Sequence, residues 1–179
     1  GKRQRVISSQ EQKASSLVLH PGGKLVVTGG QDETIRIWDT QLTTAQGVLR
    51  GHLGAVSKLA LNISGEILAS GSQDGTVILW KMQDKEMLKS AKLISKGSIK
   101  SLAFHPQKNI LAVGGEDGSL QFRSVPELKL VSTLPAHKNA VTAGEFNARG
   151  DVFVSGSQNG KLIVWDWKNK KQLSVIEFE

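Results

Sequence analysis

The sequence contains no cysteine and no tyrosine, only four prolines, and 5% aromatic residues. Without thiols there is no disulfide framework, no thiol nucleophile and no zinc site built on thiolate. No apolar run reaches the roughly eighteen residues a membrane helix needs, and no apolar signal segment opens the chain. The four histidines, His20, His52, His105 and His137, show neither His-x-x-x-His spacing nor a carboxylate pair at metal-ligand spacing. No metal or other cofactor is therefore expected. Ser70-Gly71-Ser72 and Ser155-Gly156-Ser157 lack the Gly-x-Ser-x-Gly frame that presents a serine nucleophile. The chain opens with Gly rather than Met, as a processed or excised piece would.

What is present is a chain of 179 residues with 23 Lys+Arg against 16 Asp+Glu, a formal charge of +7, and 19 glycines. Charged residues at 22% and hydrophobic residues at 39% describe a globular chain large enough to bury a core. Four segments align: TGGQDETIRIWD (28–39), SGSQDGTVILWK (70–81), VGGEDGSLQFRS (113–124) and SGSQNGKLIVWD (155–166). Their anchors Trp38, Trp80, Arg123 and Trp165 stand 42, 43 and 42 residues apart. A second block precedes each: SLVLHPGGKLVVTGG, KLALNISGEILASGS, SLAFHPQKNILAVGG and AGEFNARGDVFVSGS. Four tandem copies thus fill essentially the whole chain.

Each copy reads as four short strands. In the second, Val56, Leu59 and Leu61 mark the first strand, and a Ser64-Gly65 turn leads to Ile67-Leu68-Ala69. A Gln73-Asp74-Gly75 turn leads on to Thr76–Trp80, and a weaker strand follows near residues 87–94. Turn residues every eight to twelve positions are the hairpin signal. The inner strands are apolar at successive positions, which predicts small sheets covered on both faces.

This pattern, GH…V..L.L…G..LASGSQDGT(V/I).(I/L)W(D/K), resembles the WD-repeat β-propeller family. The resemblance implies an all-β fold of four-stranded antiparallel blades, with four WD repeats across 1–179. The blades are expected at about 9–50, 51–94, 95–135 and 136–179, with 1–8 as the outer strand of a preceding blade, where Val6 and Ile7 match Val48 and Leu49. Seven blades would need about 290 residues at this period. The expectation is a partial propeller or a module of a larger one, whose open faces allow self-association. The family also fastens blades with a hydrogen-bonded His–Ser/Thr–Asp–Trp set. The second copy matches fully with His52, Ser70, Asp74 and Trp80. The first keeps Thr28, Asp32 and Trp38 but has Gln10 in the His slot. The fourth keeps His137, Ser155 and Trp165 with Asn159 in place of Asp. The third has Ser95, Val113 and Arg123 and keeps only Asp117, so apolar packing of Leu102, Phe104, Leu111, Leu120 and Phe122 is expected to hold it.

His52, Ser70 and Asp74 are also the residue types of a hydrolase triad. The resemblance favours the structural role, and the chain is read as non-enzymatic. The expected function is a protein-interaction scaffold within a multiprotein complex, intracellular and either cytoplasmic or nuclear. Its candidate contacts lie on the face of the second-to-third-strand turns: Gln31, Gln73, Glu116 and Gln158, with Lys58, Lys100 and Thr142 at first-strand entrances. Three basic stretches supply the alternative, an RNA- or DNA-associated subunit of a ribonucleoprotein or chromatin complex. They are Lys81–Lys108 (local +5), Lys2, Arg3, Arg5 and Lys13 against Glu11, and Lys161, Lys168, Lys170 and Lys171 against Asp166. Solvated strand edges account for the same lysines. Trp167 lies outside the repeat pattern and is expected to pack at the lower rim or mark a contact.

Overall fold

The computed structural model describes residues 13–40, 45–94 and 97–177. The expected strand at 1–8, the basic residues Lys2, Arg3 and Arg5, and the positions Gln10 and Ser95 lie outside them. Within the described residues, sixteen strands form four antiparallel four-stranded sheets, each wound in simple chain order. The first holds β1 (Ala14–Leu19), β2 (Leu25–Gly30), β3 (Ile35–Asp39) and β4 (Ala45–Leu49). The second holds β5 (Val56–Leu61), β6 (Ile67–Ser72), β7 (Thr76–Lys81) and β8 (Glu86–Lys92). The third holds β9 (Ile99–Phe104), β10 (Ile110–Gly115), β11 (Leu120–Ser124) and β12 (Leu130–Leu134). The fourth holds β13 (Val141–Phe146), β14 (Val152–Ser157), β15 (Leu162–Asp166) and β16 (Lys171–Ile176). Among the described residues no helix is long and apolar enough to cross a membrane.

The core lies between sheets. Val27, Ile35 and Ile37 of the first pack on Leu68, Ile78 and Trp80 of the second. Ala69, Val77 and Leu79 on the opposite face of the second pack on Ile99, Leu111 and Val113. The third and fourth meet through Leu120 and Phe122 against Phe146, Phe153, Trp165 and Trp167. The scarce aromatics are therefore concentrated at one interface, where Phe122 stacks on Trp167 at 5.0 Å and Phe146 meets Phe153 edge-on at 4.8 Å. Such pairs add about 0.5–1.5 kcal/mol each beyond the area they bury. Trp167 is 5% exposed, so it belongs to this interface.

First strands β1, β5, β9 and β13 neighbour one another in that order, and the blades form an arc of a propeller. At one end Leu17 and Leu19 stay 70% and 56% exposed. Their repeat equivalents Leu59 and Leu61 pack against the first sheet. At the other end Glu145 and Val154 are exposed. Each first strand carries one bulge, at Ser15, Ser57, Lys100 and Thr142. The Ser15 hydroxyl donates to Val56 O, and that of Ser57 to Ile99 O at 2.6 Å, so both cross to the next sheet.

At the lower rim, the turn joining the first two strands of each sheet is closed by an acceptor side chain. His20 Nδ1 accepts the Gly22 N–H, Asn62 Oδ1 that of Ile67, His105 Nδ1 that of Gln107, and Asn147 Oδ1 that of Val152. With its Nδ1 accepting, His105 donates Nε2–H to Gly150 O at 2.9 Å, where the Trp167 indole N–H also arrives. Gly150 has φ +72°, and a Cβ there would stand 2.3 Å from His105 Cε1. Gly150→Ala should cost about 2–4 kcal/mol, from backbone strain plus overpacking. Gly160→Ala, at φ +82° in open space, should cost only about 1 kcal/mol. Urea unfolding of the two variants checks this ordering.

Candidate functional site

The upper rim is the end where each turn between second and third strands meets the entrance to the first. The Gln31 N–H bonds Lys13 O, Gln73 N–H bonds Ala55 O, Glu116 N–H bonds Ser98 O, and Gln158 N–H bonds Ala140 O. The backbone of all four turns is thus fixed, and the side chains are left at the surface. Those of Gln31, Gln73 and Gln158 are exposed and form no hydrogen bond of their own among the described residues. Glu116 differs: its Oε2 accepts the Ser98 N–H at 2.8 Å and the Ser98 hydroxyl at 2.5 Å, with Lys100 Nζ 3.8 Å away. The hydrogen bonds from Ser98, aided by Lys100, hold its carboxyl below the usual range. Of the entrance residues, Lys100 and Thr142 occupy bulges, whereas Lys58 pairs with Gly71 one residue past the bulge at Ser57.

Beneath this rim the second sheet carries a continuous polar chain. Trp80 Nε1–H donates to Ser70 Oγ at 2.8 Å, and Ser70 Oγ lies 2.7 Å from His52 Nε2. His52 Nδ1 lies 2.8 Å from Thr76 Oγ1, whose proton goes to Asp74 Oδ1 at 2.6 Å. One set of protons satisfies every member. Thr76 donates to Asp74 and accepts from His52 Nδ1–H, leaving Nε2 to accept from Ser70, which in turn accepts from Trp80. The carboxylate reaches the imidazole through a threonine, with 3.7 Å between Asp74 Oδ2 and His52 Nδ1. The sequence reading missed Thr76. Its signal was the periodic position two residues after the turn acid, occupied by Thr34, Thr76, Ser119 and Lys161. Burial pushes His52 down, against the opposing charge of Asp74. Burial alone would raise the Asp74 carboxyl, but hydrogen bonds from Thr76 and the Leu53 N–H outweigh it and hold Asp74 low.

The other sheets resolve the same position differently. In the first, Trp38 Nε1–H donates to Thr28 Oγ1 at 2.8 Å, and Thr34 donates to Asp32 at 2.9 Å. Arg36 supplies the donor to Thr34 that a histidine gives in the second sheet, and pairs with Asp32 at 2.8 Å. In the third, among the described residues, Asp117 Oδ1 accepts only the Ser119 N–H, and the buried Ser119 hydroxyl meets no partner. Arg123, in the Trp slot, donates to Gln121 and to Leu128 O. In the fourth, Trp165 and His137 both bond Ser155 Oγ, at 2.9 and 2.8 Å, but the buried His137 Nδ1 meets no partner among the described residues. Burial lowers His137, and the Lys161 charge lowers it further. No group of three or more His, Asp or Glu able to hold a metal occurs among the described residues.

Comparison with known proteins places this architecture. The model of the first β-propeller of IFT140 matches residues 83–178, and that of the WD domain, G-beta repeat, matches 1–39 and 43–81. The chain belongs to the WD-repeat β-propeller family. It is 28% identical over 97% of its length to p21-activated protein kinase-interacting protein 1-like of Danio rerio, covering 45% of that protein. It is 26% identical over 78% of its length to pre-mRNA-processing factor 19 of Mus musculus, covering 28%. The chain thus spans less than half of either relative. The solved structure of U3-55K superposes with a TM-score of 0.88 at 24% identity, over 97% of this chain and 54% of that one.

Two expectations follow from the polar chain. Thr76→Val strands a buried imidazole N–H and should cost about 1–3 kcal/mol, whereas Thr76→Ser keeps the hydroxyl and should cost less; chemical denaturation compares them. His52, His105 and His137 are all held below the ordinary 6.5, so below that pH the unfolded chain binds more protons than the folded one. Stability should be full above about pH 7 and fall as the pH drops below about 6.5. Urea midpoints taken across that range should show this slope, and His52→Gln should flatten it.

Proposed function

We propose that this chain is a non-catalytic scaffold that presents its upper rim to segments of protein partners within an intracellular complex, cytoplasmic or nuclear. The observation that carries this reading is the repeated side chain of Gln31, Gln73 and Gln158, exposed and uncommitted on turns whose backbone is tied down. A carboxamide offers both a donor and an acceptor to an extended peptide backbone, and a pre-fixed turn lowers the ordering cost of binding. Glu116, although bonded to Ser98, keeps a charged face beside Lys100 and favours a basic residue; Lys58, Lys100 and Thr142 complete the candidate contacts.

The non-catalytic reading draws support from the second sheet. Ser70 is fully buried under Trp80, and Thr76 stands between Asp74 and His52, an arrangement that satisfies donors rather than exposing a nucleophile. The Danio rerio relative is named for interaction with a kinase, in keeping with a binding role here.

A second reading, an RNA- or DNA-associated subunit, rests on β8, where Lys89 and Lys92 are exposed and form no ion pair among the described residues. Against it, Lys81 pairs with Asp84, Lys85 donates to Gln46 O, and Lys161 pairs with Glu177. One capture experiment from cell lysate separates the readings. Changing Gln31, Gln73 and Gln158 together to Ala should reduce captured protein at least about fivefold, each change shifting stability by less than about 0.5 kcal/mol. Nuclease treatment should leave capture by the unaltered chain unchanged; equal capture by the triple variant rejects the upper rim, and nuclease-sensitive capture favours the second reading.

A further inference from the structure

The second and fourth sheets carry the same fastening, but the fourth lacks its acid. In the second, the Asp74 carboxylate is enclosed by donors: Leu53 N–H at 2.8 Å, Thr76 N–H at 2.7 Å and the Thr76 hydroxyl at 2.6 Å, with His52 Nδ1 behind. In the fourth, Asn159 replaces the acid and Lys161 replaces the threonine. Among the described residues Asn159 Oδ1 accepts only the Lys161 N–H, at 3.3 Å. The backbone N–H of Lys138, the counterpart of Leu53, donates to no acceptor among the described residues. The proton arrangement that satisfies the second sheet leaves His137 Nδ1 as an unmatched N–H, shielded from the water that would otherwise compensate it. The donors that enclose a carboxylate in one sheet thus lack one in the other.

This position lies against a cavity of about 760 Å³ between the upper loops of the third and fourth sheets, lined by His137, Lys138, Asn159 and Lys161 among others. The acids facing it are Asp117, whose Oδ1 accepts the Ser119 N–H, and Glu177, which holds Lys161 Nζ at 2.9 Å. Glu177 is largely exposed, with 68% of its side chain accessible. An exposed pair of this kind contributes little and yields readily to a competing carboxylate.

We propose that this rim is a receptor for the carboxylate of an aspartate or glutamate side chain on a partner segment. The Lys138 N–H and the Lys161 ammonium, over His137 Nδ1, take from a partner the acid that the second sheet carries within itself as Asp74. The proposal rests on the scaffold reading above and names the partner chemistry for one blade: an acidic residue placed over the fourth sheet. Charge-assisted bonds to a partly enclosed anion are the strong kind, and a dry, unmatched donor nearby strengthens them further.

The test uses sodium acetate as the probe, against sodium chloride at equal ionic strength, so its outcome does not depend on knowing the partner. Nuclear magnetic resonance of the intact chain should show acetate shifting the His137 imidazole and Lys138 amide signals saturably, while the His52 signals, already served by Asp74, stay in place. Lys161→Gln should weaken the response roughly tenfold, the loss of one charge-assisted bond. Asn159→Asp with Lys161→Thr, which rebuilds the second sheet's chain, should abolish the response while the melting temperature holds or rises. Shifts no larger in acetate than in chloride, or shifts that persist in the double variant, overturn the proposal. Failure of the scaffold reading would appear separately, as lysate capture indifferent to the three glutamine changes.

Discussion

A four-stranded sheet of some forty residues with apolar side chains on both faces cannot bury them by itself, and everything else in this chain answers to that constraint. Ile78 and Trp80 on one face of β7 need the first sheet, while Val77 and Leu79 on the other need the third. Burial of this kind stabilises at about 25 cal/mol per Å², and it accrues only when neighbouring sheets stack. The sheets are therefore not independent units that happen to touch. The exposed Leu17 and Leu19 at one end of the arc show the same constraint where no described sheet meets it.

Stacking fixes the sheets but not the loops that link them. At the upper rim the entering chain must be pinned beside the turn between the second and third strands, and a chain of polar groups reaching into the apolar interior does this in the second sheet. Such a chain costs least when each buried donor meets an acceptor, which is why Thr76 matters as much as the histidine. Where the histidine is absent, the fastening takes another form. Arg36 reaches Thr34 in the first sheet, and Glu116 grips Ser98 in the third. The third sheet thus has a polar fastening as well as the apolar packing of Leu111, Leu120 and Phe122.

The period and the strands were legible in the sequence because they are written in turn residues and apolar runs that recur at one spacing. The anchors Trp38, Trp80, Arg123 and Trp165 locate every third strand. Less legible were features set by three-dimensional register. Lys58 reads as a counterpart of Lys100 and Thr142, but the bulge falls on Ser57, and a one-residue shift reverses the face. The Ser15 and Ser57 hydroxyls bond carbonyls of the next sheet about forty residues away, which no local pattern announces. Arg36 sits in a slot filled by Ile78 in the second sheet, and only its reach back to Asp32 and Thr34 explains it. Trp167 stood outside the repeat pattern because it completes an aromatic interface shared with Phe122 and Phe146, not a blade of its own.

The two rims of the arc differ in a way that bears on function. At the lower rim His20, Asn62, His105 and Asn147 perform one task, accepting a backbone N–H of the turn at 3.0 or 3.1 Å. The histidines accept the N–H two residues on and the asparagines that five residues on, across one shared turn in which the backbone N–H of each bonds the carbonyl five residues on. At the upper rim the corresponding fastenings are different in every sheet: an arginine reaching Thr34, a complete histidine chain, a glutamate on Ser98, and a histidine whose Nδ1 meets no partner among the described residues. A rim needed only for stability would be expected to keep to one turn and few side-chain solutions, as the lower one does with two. Divergence at the upper rim, above sheets whose backbone register scarcely changes, is what results when a rigid frame is left free to vary the chemistry it displays.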